Sequence, residues 1–472
     1  MSIFTKKSKL IGNLRTLMNE GPTIIGMMSV TIEAGGSLDT AVRDVAKNGP
    51  ITSSRLFKNI VFDADTRTTS DIKIGLTSVL LLLPAHLTAY RRAVHMVIAA
   101  SESSDKVEKA RMLKDASDVS LLGLKEAGES YSSSLNSPCM MVFGLGIMVP
   151  MILMSILPML SMGGLFSSSP IGSTPVSAIT LIVIPAVIVM VILSVKDNNP
   201  FMAELFEKID MKYVMSLMFV VPLLIIVWIL TEKIDLTIII SFAVAGALIV
   251  LIMFPEVRKE KIREKQEQLL KDSVFELGNK LISGENFEYA LITSLGTRKE
   301  CQTIADSMSR EIALCRGDIY AAIRMSLSKI SVSLADTFCD IYRCTQKDIR
   351  DAGRLAISIG RQLQDQEIVR KGIQNKLKSM VDMMIGTAAI FAPMVLGMSV
   401  AMLGPLSRVA ENVDFENTTA ILSVYLVELC ILMSFLTAYL NGRAGFKEII
   451  FRIGMMLPIS MTVFFLCTSI SL

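Results

Sequence analysis

The chain has only two histidines, His86 and His95, nine residues apart and with no cysteine or carboxylate cluster beside them. Zinc sites draw three or four ligands from such clusters, so the pair reads as packed or surface residues, not as a metal centre. So few imidazoles also leave little material for a Ser-His-Asp triad. Seven cysteines stand scattered at 139, 301, 315, 339, 344, 430 and 467, with no Cys-x-x-Cys pair. Dispersed thiols of odd number fit reduced core residues better than a disulfide framework. No Gly-x-x-x-x-Gly-Lys-[Ser/Thr] phosphate loop, His-Glu-x-x-His or EF-hand loop is present, so the chain is expected to be no enzyme and to carry no cofactor or metal.

The remaining chemistry lies in charges set beside apolar runs. Glu428 is the one ionisable residue well inside a long uncharged stretch. A carboxylate at the centre of a bilayer costs about 2.5–3.5 kcal/mol even on insertion scales, so it should face a helix bundle or a partner. Structural packing, contact with a partner helix and ion relay all remain open for it. Arg258, Lys259, Lys261, Arg263 and Lys265 directly follow another apolar run, and Arg361, Arg370 and Lys371 precede a third. Such clusters serve as solvated helix faces and membrane anchors, or as contacts for anionic lipid or an acidic protein patch.

These groups must be positioned by an apolar scaffold. Of 472 residues, 51% are apolar and 19% charged, against about 25% charged in an ordinary soluble protein. Net charge is +3, from 47 basic and 44 acidic residues, too balanced to suggest nucleic acid as a partner. Lys6, Lys7 and Lys9 are followed by no signal-peptide core, because Asn13 and Arg15 interrupt it, so no cleaved export signal is expected.

Seven segments are long and apolar enough to cross a bilayer, which needs about 20 residues of helix. They are Cys139–Leu160, Pro175–Val195, Tyr213–Leu230, Leu236–Phe254, Met383–Leu406, Thr418–Leu440 and Ile453–Leu472. Ile74–Tyr90 is also uncharged, but a crossing there would put one of two basic blocks outside, so it reads as a buried helix of a soluble domain. Segments 1–137, 196–212, 255–382 and 441–452 then lie inside with 17, 3, 22 and 3 basic residues, and the outer loops hold at most one each. This bias predicts a multi-pass protein of the cytoplasmic membrane, N-terminus inside and C-terminus outside. The expected organisation is a helical domain over 1–137, four spans over 138–254, a second helical domain over 255–382 and three spans over 383–472.

The two inner domains look like one unit written twice. The stretch around Gly35, Ser37 and Ala41 matches that around Gly284, Asn286 and Ala290 in the pattern Gly-x-[Ser/Asn]-apolar-acid-x-Ala-apolar. Each glycine suits the left-handed end of one helix, and each Ser or Asn suits the cap of the next. Ser70-Asp71-Ile72 pairs with Gly317-Asp318-Ile319, and the stretch around Pro150 with that around Pro393, at offsets drifting from 249 through 247 to 243. Three matches in order predict an internal duplication. The fold class is therefore an all-α polytopic membrane protein with about seven spans and two duplicated helical domains.

This arrangement resembles the type II secretion system F-domain family, in particular the fused archaeal TadC-like and archaellum J-type platform proteins. The resemblance covers about Gly26 to Leu440 and rests more on architecture than on single residues. It implies a platform at the base of a type IV filament machine, with a cytoplasmic hexameric secretion ATPase and prepilin-like subunits as partners and no catalysis of its own. Under it, the basic clusters are candidate partner contacts, Glu428 is a candidate contact for a subunit's N-terminal amine, and a homodimer is expected. The competing reading is a secondary transporter of two repeats with Glu428 as ion-coupling residue.

Overall fold

The computed structural model describes residues 16–153, 179–199, 234–407, 418–440 and 446–469. All regular structure among them is helical. The first part comprises α1 (Thr16–Glu33), α2 (Leu38–Asn48), α3 (Ile51–Asp65), α4 (Ile72–Leu81), α5 (Thr88–Glu102), α6 (Lys106–Ser134), α7 (Asn136–Phe143) and α8 (Ile184–Asn198). The second comprises α9 (Ile234–Ile282), α10 (Phe287–Gly296), α11 (Gln302–Leu314), α12 (Ile319–Leu327), α13 (Val332–Thr345), α14 (Ile349–Gly386), α15 (Ala392–Ser407), α16 (Thr418–Leu440) and α17 (Phe446–Ser469).

The duplication is visible element by element, with α1 to α6 repeated by the end of α9 and α10 to α14. Gly35 and Gly284 take φ of +84° and +88°, the left-handed closure expected of both corners. After them Ser37 caps α2 by accepting from the Thr40 N–H at 3.2 Å, whereas Asn286 stands at the start of α10 without a side-chain cap bond. Ala41 and Val42 are buried in one copy, and Phe287, Ala290 and Leu291 in the other. The second corners also start helices where expected, at Ile72 and Ile319. Asp318 completes its cap by accepting from the Ala321 N–H at 3.2 Å, and Asp71 does not.

Two compact units result. One gathers the residues up to Glu129 with Lys259–Ile373, and the other gathers Ser130–Arg258 with Gln374–Leu472. Both inner domains expected from the sequence thus belong to a single helical unit, each keeping its own core, around Phe57, Tyr90 and Val97 in one and Leu277, Phe338 and Ile341 in the other. The unit boundaries fall within continuous helices, several residues from those read off composition. A helix carries its packing past the point where its composition changes.

Within this helical unit, the copies meet through α14. A methyl group on Gly26 of α1 would sit 2.6 Å from the Gln362 amide, which donates to the Pro22 carbonyl at 3.4 Å. One on Gly128 of α6 would sit 2.6 Å from Ile373. Inside the second copy, α9 and α14 cross at Gly278 and Gly353, where each glycine's missing Cβ would lie 3.0 Å or less from the other's carbonyl oxygen.

Among the described residues, six helices are long and apolar enough to span a membrane: Lys106–Leu153, Ile179–Asn198, Leu236–Ile282, Ile349–Met402, Thr419–Leu440 and Lys447–Ser469. The chain is an all-α, multi-pass membrane protein. The six correspond to all the expected spans but Tyr213–Leu230, which lies outside the described residues. The Ile74–Tyr90 segment takes in most of the ten-residue α4, too short to cross, and then a 3-10 turn and the start of α5. It is not wholly buried, since Ile74, Leu81 and Leu82 are exposed.

In the membrane unit, small residues let backbones approach. Gly246 of α9 sits against Gly454 and Pro458 of α17, and Gly397 of α15 against Cys467. Both copies enter this unit through the same irregularity. The helix widens to a π turn at Gly144–Met148 and at Thr387–Phe391, again at an offset of 243, and Pro150 and Pro393 follow two residues later. A proline ring collides with the carbonyl four residues back, and a widened turn gives it room.

Candidate functional site

The basic cluster after the fourth expected span lies along α9 and divides in two. Arg258, Lys259 and Lys261 are exposed and make no ion pair among the described contacts. Arg263 and Lys265 are committed to the fold. The Arg263 guanidinium donates to the Ile330 carbonyl at 3.2 and 3.1 Å, closing the turn between α12 and α13, and Lys265 pairs with Glu300 at 2.7 Å.

Lys265 and Lys371 line a cleft of about 220 Å³ with Gln268, Lys271, Arg298 and Glu367. Glu367, on α14, accepts from Gln268 at 3.1 Å and Lys271 at 3.4 Å and stands 3.8 Å from Lys371. Asp272 neutralises Arg298 at 3.0 Å. Every cation here lies within 4.0 Å of an acid, with Glu367 shared between Lys271 and Lys371 and Glu267 also 3.6 Å from Lys271, so the cleft braces α9 against α14 and offers little field to an external anion. Arg361 and Arg370 lie exposed on α14, outside this network. The structure therefore brings together two of the eight sequence-selected cations and leaves Arg258, Lys259, Lys261, Arg361 and Arg370 available.

Glu428 stands on α16, half-buried, one turn beyond Tyr425. No cluster of three or more His, Cys, Asp or Glu side chains suited to a metal occurs among the described residues. His86 and His95 are both exposed. Cys139, Cys301, Cys339 and Cys430 are buried and the others half-buried, all as free thiols. Burial pushes the Cys301, Cys339 and Cys344 thiols up, away from the reactive thiolate.

Two features escaped the sequence reading. Asp336 and, from the other copy, Asp44 both raise the proton affinity of Asp340. Asp340 is pushed up to about 6 by burial first and Asp44 second, against the opposing pull of Arg343 and Arg324. Nothing local marks Asp44 as a neighbour of α13, because the pairing is made by the packing of the copies. The second is the bond from the Tyr425 hydroxyl to the Gly146 carbonyl. Pro150, four residues after Gly146, is its only sequence signal.

Comparison of the chain with protein-family models, with curated proteins and with solved structures gives no match.

Proposed function

We propose that this protein is the membrane platform of a type IV pilus-like filament or secretion machine. It would receive the conformational work of a cytoplasmic hexameric secretion ATPase and lift prepilin-like subunits out of the bilayer. The observation that carries the reading is the duplicated helical unit. Two copies of one helical module share a single unit, and each leads into a π turn, a proline and an apolar span, the second through the continuous helix α14 and the first through α6 and α7 with a single turn at Leu135 between them.

A motor needs such a lever. A helix that keeps its hydrogen bonds from the module into the span can pass on a tilt, and a widened turn before a proline is a place to absorb it. The protein supplies no hydrolysis in this scheme. Arg258, Lys259, Lys261, Arg361 and Arg370 are the exposed cations that would meet acidic patches of the ATPase or anionic lipid. The module faces the cytoplasm, with the N-terminus inside and the C-terminus outside, and two copies of the chain would give an axial machine symmetric engagement.

The test is co-purification of the full-length chain with the cognate ATPase, with and without Arg258→Glu, Lys259→Glu and Lys261→Glu combined. Retention by the parent chain and its loss in the variant is the expected result. Absence of binding by the parent chain, together with normal filaments in a deletion strain, would remove the reading.

A further inference from the structure

The helical unit closes four of its helices with one backbone device. At the first corner of each copy, the Gly36 N–H donates to the Thr31 carbonyl at 2.9 Å and the Glu285 N–H to the Lys280 carbonyl at 3.2 Å. At the second corner, ending α3 and α11, the Thr68 N–H donates to the Asp63 carbonyl at 2.8 Å and the Gly317 N–H to the Ile312 carbonyl at 3.4 Å. All four have the Schellman pattern, which puts a left-handed residue just before the donor. Glycine fills that place at both first corners. At both second corners it is arginine: Arg67 with φ +55° and Arg316 with φ +52°. No other non-glycine residue has positive φ among the described residues.

The turn itself does not ask for arginine. A side chain at this backbone conformation is strained, and glycine is not. The helix dipole favours a cation near the last carbonyls, yet α1 closes on Gly35 with no basic residue in its last turn. Nor do the two guanidiniums tie the fold together. Both are exposed, and neither makes an ion pair or hydrogen bond among the described residues. Two copies that differ at most positions thus present the same free arginine on the same strained corner.

The surroundings narrow what such an arginine can meet. No second cation lies within five residues of either one in the chain. Asp63, Asp65 and Asp71 stand within four residues of Arg67, and Asp318 follows two residues after Arg316. Corners so rich in acid repel an extended anionic surface such as a lipid bilayer, but a single carboxylate can still pair with the guanidinium fork. Beside each arginine is an exposed apolar side chain, Phe62 at 65% and Leu314 at 74%. Arginine next to apolar surface is the make-up of a protein interface. The corners also flank the seam between the copies. Arg43 holds Asp65 at 2.7 Å, its neighbour Asp44 feels the charge of Arg343, and Arg343 reaches Tyr320 on the first turn of α12.

We propose that Arg67 and Arg316 are a matched pair of docking arginines, each taking one carboxylate of an acidic protein surface that spans the seam. The inference rests on the filament-machine reading in naming that partner as the cytoplasmic secretion ATPase.

The first corners supply the control, since glycine serves there. Arg67→Gly, Arg316→Gly and the double variant are made in the full-length chain, and binding of the purified cognate ATPase is measured in neutral detergent and in nanodiscs containing phosphatidylglycerol. All three variants should unfold at or above the parent's temperature, while affinity falls about tenfold for each arginine removed, the size of one charged hydrogen-bonded contact. Arg67→Lys and Arg316→Lys keep the charge without the fork and should recover only part of the loss. Unchanged affinity in the double glycine variant, with the parent binding, overturns the proposal and leaves the filament-machine reading standing. Unfolding below the parent's temperature would make the arginines structural and overturns it too. So does full recovery by lysine, or a loss seen only in phosphatidylglycerol nanodiscs, which would assign the arginines to lipid. A parent chain that does not bind removes the filament-machine reading and this inference with it.

Discussion

The hydroxyl of Tyr425 on α16 donates to the carbonyl of Gly146, inside the π turn that leads into the first span. Gly146 is the residue whose carbonyl an α-helix would pair with the N–H of position 150, and position 150 is a proline. A tyrosine from a distant helix thus supplies the donor that the local backbone lacks. Apolar surroundings make such a replacement matter, because water is not at hand to do it. The contact also ties α16, the helix of Glu428, to the place where the first copy's span is irregular.

Removing that donor tests the relationship. Tyr425→Phe should cost about 1–2 kcal/mol, the size of an interhelical hydrogen bond in lipid. Thermal unfolding of the detergent-solubilised chain would register it. Restoring the backbone N–H should shrink the loss, so Tyr425→Phe should be milder in a Pro150→Ala background. An equal loss in both backgrounds would mean the bond does not compensate for the proline.

The glycines separate conformational from steric cost. Gly35 and Gly284 have φ of +84° and +88° with open space around the absent Cβ. Alanine at either should therefore cost about 1–2 kcal/mol, the price of the left-handed backbone alone, and the same in both copies. Gly278→Ala should cost more despite an ordinary helical φ. Its new methyl would meet the Ile357 nitrogen at 2.8 Å and the Gly353 oxygen at 2.9 Å, both backbone atoms that cannot swing aside. Chemical denaturation of the three variants should rank them in that order.

The equivalent caps should behave unequally. Ser37 accepts from the Thr40 N–H, and Asn286 makes no such bond. Ser37→Ala should lower stability by about 1 kcal/mol, and Asn286→Ala by clearly less. Comparable losses would show that Asn286 closes its cap in solution.

How far the sequence could be read depends on the range of the interactions concerned. Corners were legible at Gly35 and Gly284 because a left-handed glycine followed by a capping residue is a local matter. Six of the seven expected spans were legible because hydrophobic length is also local. Ile74–Tyr90 was half legible. Its lack of charge did not mark a crossing, yet Leu81 and Leu82 are exposed where a buried helix was expected. The basic cluster was seen but not its division, since whether Arg263 is free depends on Ile330, 67 positions away. Asp44 and Asp340 were invisible as neighbours for the same reason, as was the Gly278–Gly353 crossing. Glycine spacing can suggest such a crossing but cannot choose its partner.

The carboxylates shared between the copies should make the helical unit sensitive to pH. Asp340 is pushed up to about 6, by burial and then by Asp44, with Asp336 adding to the effect and Arg343, 3.4 Å away, and Arg324 opposing it. Asp44 is raised as well, by its own burial and by Asp336, against Asn48, Arg343 and Lys47. An ordinary unfolded aspartate titrates near about 3.9. The folded form therefore holds its proton more tightly than the unfolded form. The resulting stabilisation is complete below the unfolded value and is lost as pH rises through about 6. In this respect the parent chain should melt higher at about pH 5 than at about pH 7.5. Asp340→Asn carries no titrating proton and relieves the crowding at every pH. It should raise the melting temperature at the higher pH and flatten the difference between the two. An unchanged pH slope in Asp340→Asn would place the sensitivity on other groups.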